Sequence, residues 1–166
     1  MKQRNVLIGL VITISLLVPV ALHAQETDPV QVCYGPEFEA WLAGQKSLDP
    51  SIWADDAVNT SIVGDMVTTY SGRDEILANM DELIANGFAY ELEVLSVEGN
   101  TVTVETRMWD NDARALGVAP FAGTEVCVVK DGQIQSTTWT MSDESLAAFG
   151  AALAALPETG GASVPI

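Results

Sequence analysis

The chain has 166 residues, of which 48% are hydrophobic and 18% are charged, and its 23 acidic residues outnumber its 7 basic residues to give a formal charge of −16. This length suits one domain with a substantial hydrophobic core, and the apolar fraction excludes an intrinsically disordered chain. Because nucleic acids and anionic membrane surfaces are polyanions, the acidity argues against both as partners.

The N-terminal segment is typical of an export signal. Lys2 and Arg4 precede an apolar run over residues 6–22, and Ala24 is a small residue before a polar one. This order predicts a secretory signal peptide over residues 1–24, and hence a secreted or otherwise extracytoplasmic protein. The run is at the short end of the ~17–25 residues of a spanning helix. A permanent membrane anchor is therefore the less favoured alternative, and no stable span is expected after cleavage.

Cleavage after residue 24 would also remove His23, the single histidine of the chain. The mature chain would then have no imidazole for Ser-His-Asp or Cys-His catalysis, or for a zinc site. We therefore expect no metal centre and no cofactor. Any acid–base chemistry would depend on carboxyl groups, tyrosines or lysines.

The two cysteines of the chain are Cys33 and Cys127. In an oxidising compartment a disulfide is the default state of such a pair, and it would join the mature N-terminus to a late strand. Sequence alone does not show whether the two Cβ atoms meet, so the bridged and the free states both stay open.

Residues 25–35 form a polar lead-in to one domain that is predicted over residues 36–143. A short helix begins at Pro36, which suits a first helical turn, and Asp49-Pro50 gives a second helix start. Two strands follow over residues 57–63 and 66–70.

The clearest predicted helix covers residues 73–86. Its apolar residues recur at helical spacing, and Gly87 ends it. Ser71 and Asp74, three residues apart, resemble a capping box with Asp in place of the usual Glu. One side of this helix is apolar, so it must pack against another element.

Beyond this helix, alternating apolar and polar residues indicate strands. The four predicted strands are 88–94, 101–109, 123–130 and 133–141. Asp131-Gly132 is a hairpin turn between the last two strands, and residues 110–120 are predicted to form a loop. Ser142 caps a C-terminal helix assigned to residues 144–156 beyond the domain, and residues 157–166 form a loose tail rich in Gly and Pro.

Helices followed by a curled antiparallel meander, with one amphipathic helix between strands, predict an α+β fold. We expect a curved antiparallel sheet wrapped around helices in a cone shape, together with a C-terminal helix. A strongly twisted sheet that curls around a helix leaves a hollow, and small apolar ligands bind in such hollows.

Several segments are similar to those of a known family. They are residues 53–58 (WADDAV), 70–76 (YSGRDEI) and 130–134 (KDGQI) with the following Trp139, and residues 116–120 (LGVAP). Together with the order of elements, they resemble SnoaL-like members of the nuclear transport factor 2-like superfamily. The resemblance implies a cone of curved sheet closed by helices, and a homodimer formed through the outer face of the sheet. Members of the superfamily include cyclases, ketosteroid isomerases, epoxide hydrolases and binding domains without catalysis, so the fold does not choose among these functions.

The catalytic residues of these relatives carry over poorly. The epoxide hydrolases use Arg-x-Asp on one strand and a second Asp on the last strand; Arg107 matches the arginine, but Trp109 and Trp139 stand at the two Asp positions. The SnoaL-like cyclases have an acid four residues after the tryptophan, as Asp143 follows Trp139, but they also carry histidines near the pocket. An isomerase, cyclase or hydrolase would here use Asp110 or Asp143 as proton carrier, with Arg107 stabilising negative charge.

Each of these residues also has a simpler interpretation. Arg107 would pair with Glu91 or Glu105, and Asp143 would stabilise a helix start. The acidic run that begins at Asp110 would be a solvated loop rather than a calcium site.

The leading interpretation is an exported SnoaL-like domain that binds a small, largely apolar molecule, or a partner, in a cone-shaped cavity. The candidate ligand-binding residues are Trp53, Tyr70, Arg107, Trp109 and Trp139. The aromatic residues among them would otherwise be packed core, and a dimerising accessory domain with a filled core is the third possibility. A cavity carboxyl group with a raised pKa near Arg107 would favour an enzyme, whereas walls of indoles and aliphatic groups alone would favour binding.

The end of the last helix carries a different kind of signal. Leu156-Pro157-Glu158-Thr159-Gly160 matches the sorting sequence that sortases cleave between Thr and Gly. Residues 161–166 do not show the apolar stretch and basic tail that follow such signals. Attachment to the cell surface therefore stays open.

Overall fold

The computed structural model describes residues 28–44 and 47–156. The predicted signal peptide over residues 1–24 and the sorting-like residues Pro157-Glu158-Thr159-Gly160 lie outside these ranges. Among the described residues, the helices are all too short or too polar to cross a membrane.

Three short helices, two longer helices and a mixed sheet make up the described chain. The helices are α1 (Pro29–Tyr34), α2 (Pro36–Leu42), α3 (Arg73–Ala85), α4 (Asn111–Leu116) and α5 (Asp143–Ala155), with a 3₁₀ turn at Pro50–Ile52. The strands are β1 (Trp53–Val63), β2 (Met66–Ser71), β3 (Ala89–Glu98), β4 (Thr101–Trp109), β5 (Phe121–Lys130) and β6 (Gln133–Met141).

Two six-residue helices lie where the sequence predicts none. In the polar lead-in, the Asp28 carboxylate caps α1 by accepting the Val30 N–H at 3.0 Å. In the predicted loop over residues 110–120, the Asp110 carboxylate caps α4 by accepting the Ala113 N–H at 2.7 Å. A helix of fewer than two turns is too short to show a hydrophobic periodicity in the sequence. The capping residues Asp28 and Asp110 were the sequence signal for these two helices.

The six strands form one curved sheet in the order β2-β1-β6-β5-β4-β3. Neighbouring strands are antiparallel except β1 and β6, which are parallel. The α+β class is as predicted, but a purely antiparallel meander does not describe this sheet. The parallel pair arises because α3 connects β2 with β3, the two edge strands, so the chain crosses the sheet and the last strand returns beside the first.

The register sorts side chains onto two faces, because residues directly opposite each other point the same way. On the inner face, Val104 lies opposite Glu125, and Glu125 lies opposite Trp139. The helices pack on this face, where Ile76 of α3 is fully buried with Val102 of β4. The site described below is built on the same face.

A disulfide joins Cys33 of α1 to Cys127 of β5, and their Cα atoms are 6.5 Å apart. Both residues belong to the buried core. The bridge therefore fixes the short first helix against the inner face of the sheet.

Candidate ligand-binding site

A cavity of about 590 Å³ lies between the inner face of the sheet and the helices. Its walls are mostly aromatic and aliphatic, and its large aromatic residues include Phe38, Trp41, Trp53, Phe88, Phe121 and Trp139. Met66 and Leu153 also line it and are 63% and 56% exposed. Their exposure places an opening between the β1–β2 hairpin and α5.

The ionisable carboxyl groups in the cavity wall belong to Asp110 and Glu125. The wall residues that the structure describes include no lysine, arginine or histidine. Within the described part of the wall, the acidic groups therefore have no fixed positive charge to balance them.

Glu125 is held by two phenol groups. The Tyr34 hydroxyl donates a hydrogen bond to Oε1 at 3.0 Å, and the Tyr90 hydroxyl donates one to Oε2 at 3.1 Å. Each carboxylate oxygen has two lone-pair sites, so each retains one for a further donor. Glu125 is enclosed by protein, and the cavity supplies its remaining accessible surface.

Local chain geometry explains this arrangement. Glu125 and Cys127 are two residues apart on β5 and therefore point to the same face. Tyr34 follows Cys33 directly, so the disulfide that anchors α1 also brings the Tyr34 ring to Glu125. Tyr90, the second residue of β3, reaches the carboxylate from the other side.

Burial raises the pKa of the Glu125 carboxyl group because desolvation penalises its charged form, and the two tyrosine hydrogen bonds offset part of this effect. Burial also raises the pKa of Tyr34 and of Tyr90, and the adjacent Glu125 charge raises both further. The two phenols therefore keep their protons throughout the physiological pH range.

An aromatic cluster surrounds the two phenols: Tyr34, Phe38, Trp41, Phe88 and Tyr90. The Phe38 ring packs edge-on against Tyr34 at 5.8 Å and against Tyr90 at 5.4 Å between ring centres. Trp41 and Phe88 complete the cluster at 6.1 Å from each other. Edge-to-face packing of this kind stabilises a fixed wall.

Three of the predicted ligand-binding residues line the cavity: Trp53, Tyr70 and Trp139. The Trp139 indole N–H donates to the Thr106 hydroxyl at 2.9 Å, and this hydroxyl donates to the Gly123 carbonyl at 3.1 Å. The Trp53 side chain is part of the core, and its buried indole N–H has no acceptor among the described residues.

Arg107 and Trp109 lie on the outer side of the sheet, which differs from the prediction that they face the cavity. On β4 the buried positions alternate through Thr106 and Met108, so the residues between and beyond them point outward. The Arg107 side chain is 59% exposed, lies 3.6 Å from Glu91 and stacks 5.6 Å from the Trp109 ring centre. Arg107 thus makes the ion pair that the simpler interpretation describes.

The two predicted proton carriers are placed differently. Asp110 is at the edge of the cavity, where one carboxylate oxygen caps α4. Asp143 is exposed in the first turn of α5 and is not part of the cavity wall. Neither acid therefore faces Arg107 across the cavity, since Arg107 lies on the outer side of the sheet.

The sequence patterns did not identify Glu125, Tyr34 and Tyr90 as site residues. A signal for Glu125 exists: Phe121, Gly123, Cys127 and Val129 share its parity on β5, so it is an acid on an otherwise apolar and buried face. The two tyrosines have no such signal, because only the packing of α1 and β3 against β5 brings them to one carboxylate.

Comparisons with known proteins agree with this geometry. The family model for the SnoaL-like domain matches residues 37–137. This match covers more than half of the chain, and the chain therefore belongs to the SnoaL-like domain family.

Solved structures share the fold. A putative SnoaL-like polyketide cyclase from Jannaschia sp. CCS1 aligns over 80% of this chain and 95% of its own, with 21% identity and a TM-score of 0.58. An NTF2-like protein of unknown function from Mesorhizobium loti aligns over 69% and 90%, with 19% identity and a TM-score of 0.55. A putative polyketide cyclase from Sinorhizobium meliloti aligns over 68% and 93%, with 21% identity and a TM-score of 0.52. No curated protein matches the chain. At these identities the structures establish the shared fold and leave the function to the site.

Proposed function

We propose that this SnoaL-like protein is exported and binds a small, largely apolar molecule in its cone-shaped cavity. The observation that carries the proposal is the cavity of about 590 Å³ with its mostly aromatic and aliphatic wall. The signal peptide predicted over residues 1–24 and the Cys33–Cys127 disulfide support the proposal of export, because disulfides persist in oxidising compartments.

The size and composition of the cavity suit this function. Ligand sites are commonly about 300–1,000 Å³ and combine apolar walls with a few polar groups that orient the ligand. Here the Glu125 carboxyl group and its two phenols supply the polar groups. An apolar ligand of matching size would make van der Waals contacts with the aromatic and aliphatic wall.

Two neighbouring residues of β2 allow a matched test. Thr68 and Thr69 are both exposed, but Thr68 lines the cavity and Thr69 points to the opposite face. We expect 2-naphthylmethanol, an uncharged apolar probe, to bind the native protein in isothermal titration calorimetry. Thr68→Phe should weaken this binding at least about tenfold by filling the opening, which corresponds to about 1.4 kcal/mol, and Thr69→Phe should leave it unchanged. Equal effects of the two variants, or no binding by the native protein, would contradict the proposal.

A second candidate function is acid–base catalysis in the same cavity, of the isomerase, cyclase or hydrolase type. The observation that favours it is Glu125, because a carboxyl group whose pKa is raised by burial suits proton transfer near neutral pH. Its proton carrier would be Glu125 rather than Asp110 or Asp143. With an apolar ketone such as 2-acetylnaphthalene, catalysis would appear as faster deuterium uptake next to the carbonyl in heavy water, and Glu125→Gln would abolish it.

A further inference from the structure

The charge of the cavity restricts its ligand. Asp110 and Glu125 are the ionisable acids in the wall, and the described wall residues supply no cation. An anionic ligand would therefore meet like charge without a compensating group, at a large cost in a poorly solvated site. The ligand is expected to be neutral or positively charged.

The aromatic cluster distinguishes between these two possibilities. Glu125 accepts hydrogen bonds from Tyr34 and Tyr90, whose rings both pack against Phe38, and each of its two oxygens keeps a free lone-pair site. Aromatic faces attract cations through their negative quadrupole, and a carboxylate next to such faces adds a direct ion pair. The two phenols donate hydrogen bonds to Glu125 and so hold its carboxyl group against the aromatic cluster.

We infer that the ligand is an apolar molecule that carries a protonated amine, with its ammonium group bound by Glu125 and the aromatic cluster and its apolar body in the rest of the cavity. This inference rests on the proposed function, since it specifies the ligand of the same cavity. The formal charge of −16 would also raise the local concentration of such cations around the protein.

Three probes with the same ring system test the inference: 2-(aminomethyl)naphthalene, 2-naphthylmethanol and 2-naphthoate, titrated at pH 7 into the native protein by calorimetry. We expect the amine to bind at least about tenfold more tightly than the alcohol, and the carboxylate to bind most weakly. In Glu125→Gln the preference for the amine should fall to about threefold or less, while the alcohol still binds. Glu105→Gln is the matched control, because Glu105 is exposed on the outer face of β4, and it should keep the full preference.

The outcomes separate this inference from the proposed function. If the alcohol binds as tightly as the amine, the cavity is a ligand site but the amine is not its ligand class. If the amine preference survives in Glu125→Gln, the charge recognition lies elsewhere and the inference is overturned. If none of the three probes binds, both the inference and the proposed function are overturned. The order of the three probes on the native protein decides the inference even if Glu125→Gln does not fold.

Discussion

At the scale of single residues, Glu125 has a carboxyl group that is enclosed by protein and held by two phenols at the wall of the cavity. A buried carboxyl group without a cation nearby must be stabilised by hydrogen bonds or remain protonated. Here Tyr34 and Tyr90 supply one hydrogen bond to each oxygen. The pKa is nevertheless raised, because desolvation outweighs these bonds. Glu125 therefore couples the protonation of the cavity to the stability of the fold.

This coupling predicts a pH dependence with a definite sign. The folded state holds the Glu125 proton at pH values where the unfolded chain, with an ordinary pKa of about 4.3, has lost it. Unfolding then releases a proton, so stability falls as the pH rises from the unfolded pKa to the folded pKa and is level above it. Glu125→Gln removes this loss. We expect the melting temperature of Glu125→Gln, relative to the native protein, to increase as the pH rises across this range, because the variant has no proton to release on unfolding.

Differential scanning calorimetry between pH 4 and pH 8 measures this difference. Glu105→Gln serves as the control, since it makes the same substitution at an exposed position on the outer face of the sheet. A constant difference between Glu125→Gln and the native protein across the range would show that Glu125 titrates normally.

At the scale of elements, the start of α3 differs from its predicted capping contact although the helix itself is as predicted. The pattern before α3 predicts a capping box between Ser71 and Asp74, but in the structure Glu75 accepts the Ser71 N–H at 2.8 Å. Gly72, with φ of +85°, is the residue before the first turn of α3. With this backbone conformation, the acid that accepts the Ser71 N–H is Glu75, one position after the predicted Asp74. The element itself, its apolar side and its end near Gly87 are as predicted, because they depend on many residues rather than on one contact.

The disulfide is the element-scale contact with the largest expected effect. It closes a chain segment with a sequence separation of 94 residues and attaches α1, which has only six residues. We expect a variant with both Cys33→Ser and Cys127→Ser to lose about 3–5 kcal/mol of unfolding free energy, because the unfolded chain regains the freedom of a long loop. Urea unfolding followed by tryptophan fluorescence measures this loss.

A reductant provides the control for this prediction. Dithiothreitol should bring the native protein to the stability of the double variant and leave the double variant unchanged. A double variant with the native unfolding midpoint would mean that α1 is held by packing alone. In that case the disulfide would not be what positions Tyr34 next to Glu125.

At the scale of the whole molecule, the charges are distributed unevenly over the two faces of the sheet. Half-exposed residues of the outer face form a patch without charge: Val58, Thr101, Thr103, Val126, Val128, Ser136 and Thr138. In a chain with a formal charge of −16, an uncharged region of this kind lets two copies approach each other at lower electrostatic cost than an acidic surface would. The homodimer through the outer face of the sheet, which the family resemblance implies, is therefore a prediction for this patch.

The patch allows a direct test of the oligomeric state. We expect light scattering after size-exclusion chromatography to give the mass of a dimer for the native protein. Thr138→Lys places a charge in the centre of the patch on both copies and should give a monomer, because two buried ammonium groups would have no partners. Ala78→Lys adds the same charge on an exposed position of α3 and should remain dimeric. A native protein that elutes as a monomer would contradict the prediction.

Patterns that repeat along the chain predicted the α+β class and most of its strands and longer helices. The alternation on β4 and β5, the helical spacing in α3 and the Asp131-Gly132 turn each depend on neighbouring residues, and together they predict a curved sheet with a helix across it. The same alternation puts Arg107 and Met108 on opposite faces of β4. Taking the apolar face of β4 as the inner face of the sheet predicts that Arg107 lies on the outer face.

The site needed the tertiary structure, because its three polar groups come from positions far apart in the chain. Glu125 lies 91 residues after Tyr34 and 35 residues after Tyr90 in the chain. No regular spacing in the sequence connects the three residues. The parallel pairing of β1 with β6 and the anchoring of α1 by Cys33 were likewise decided by packing across the sheet. Local patterns report which side of an element is apolar, whereas the burial of a carboxyl group depends on what the remaining elements bring to that side.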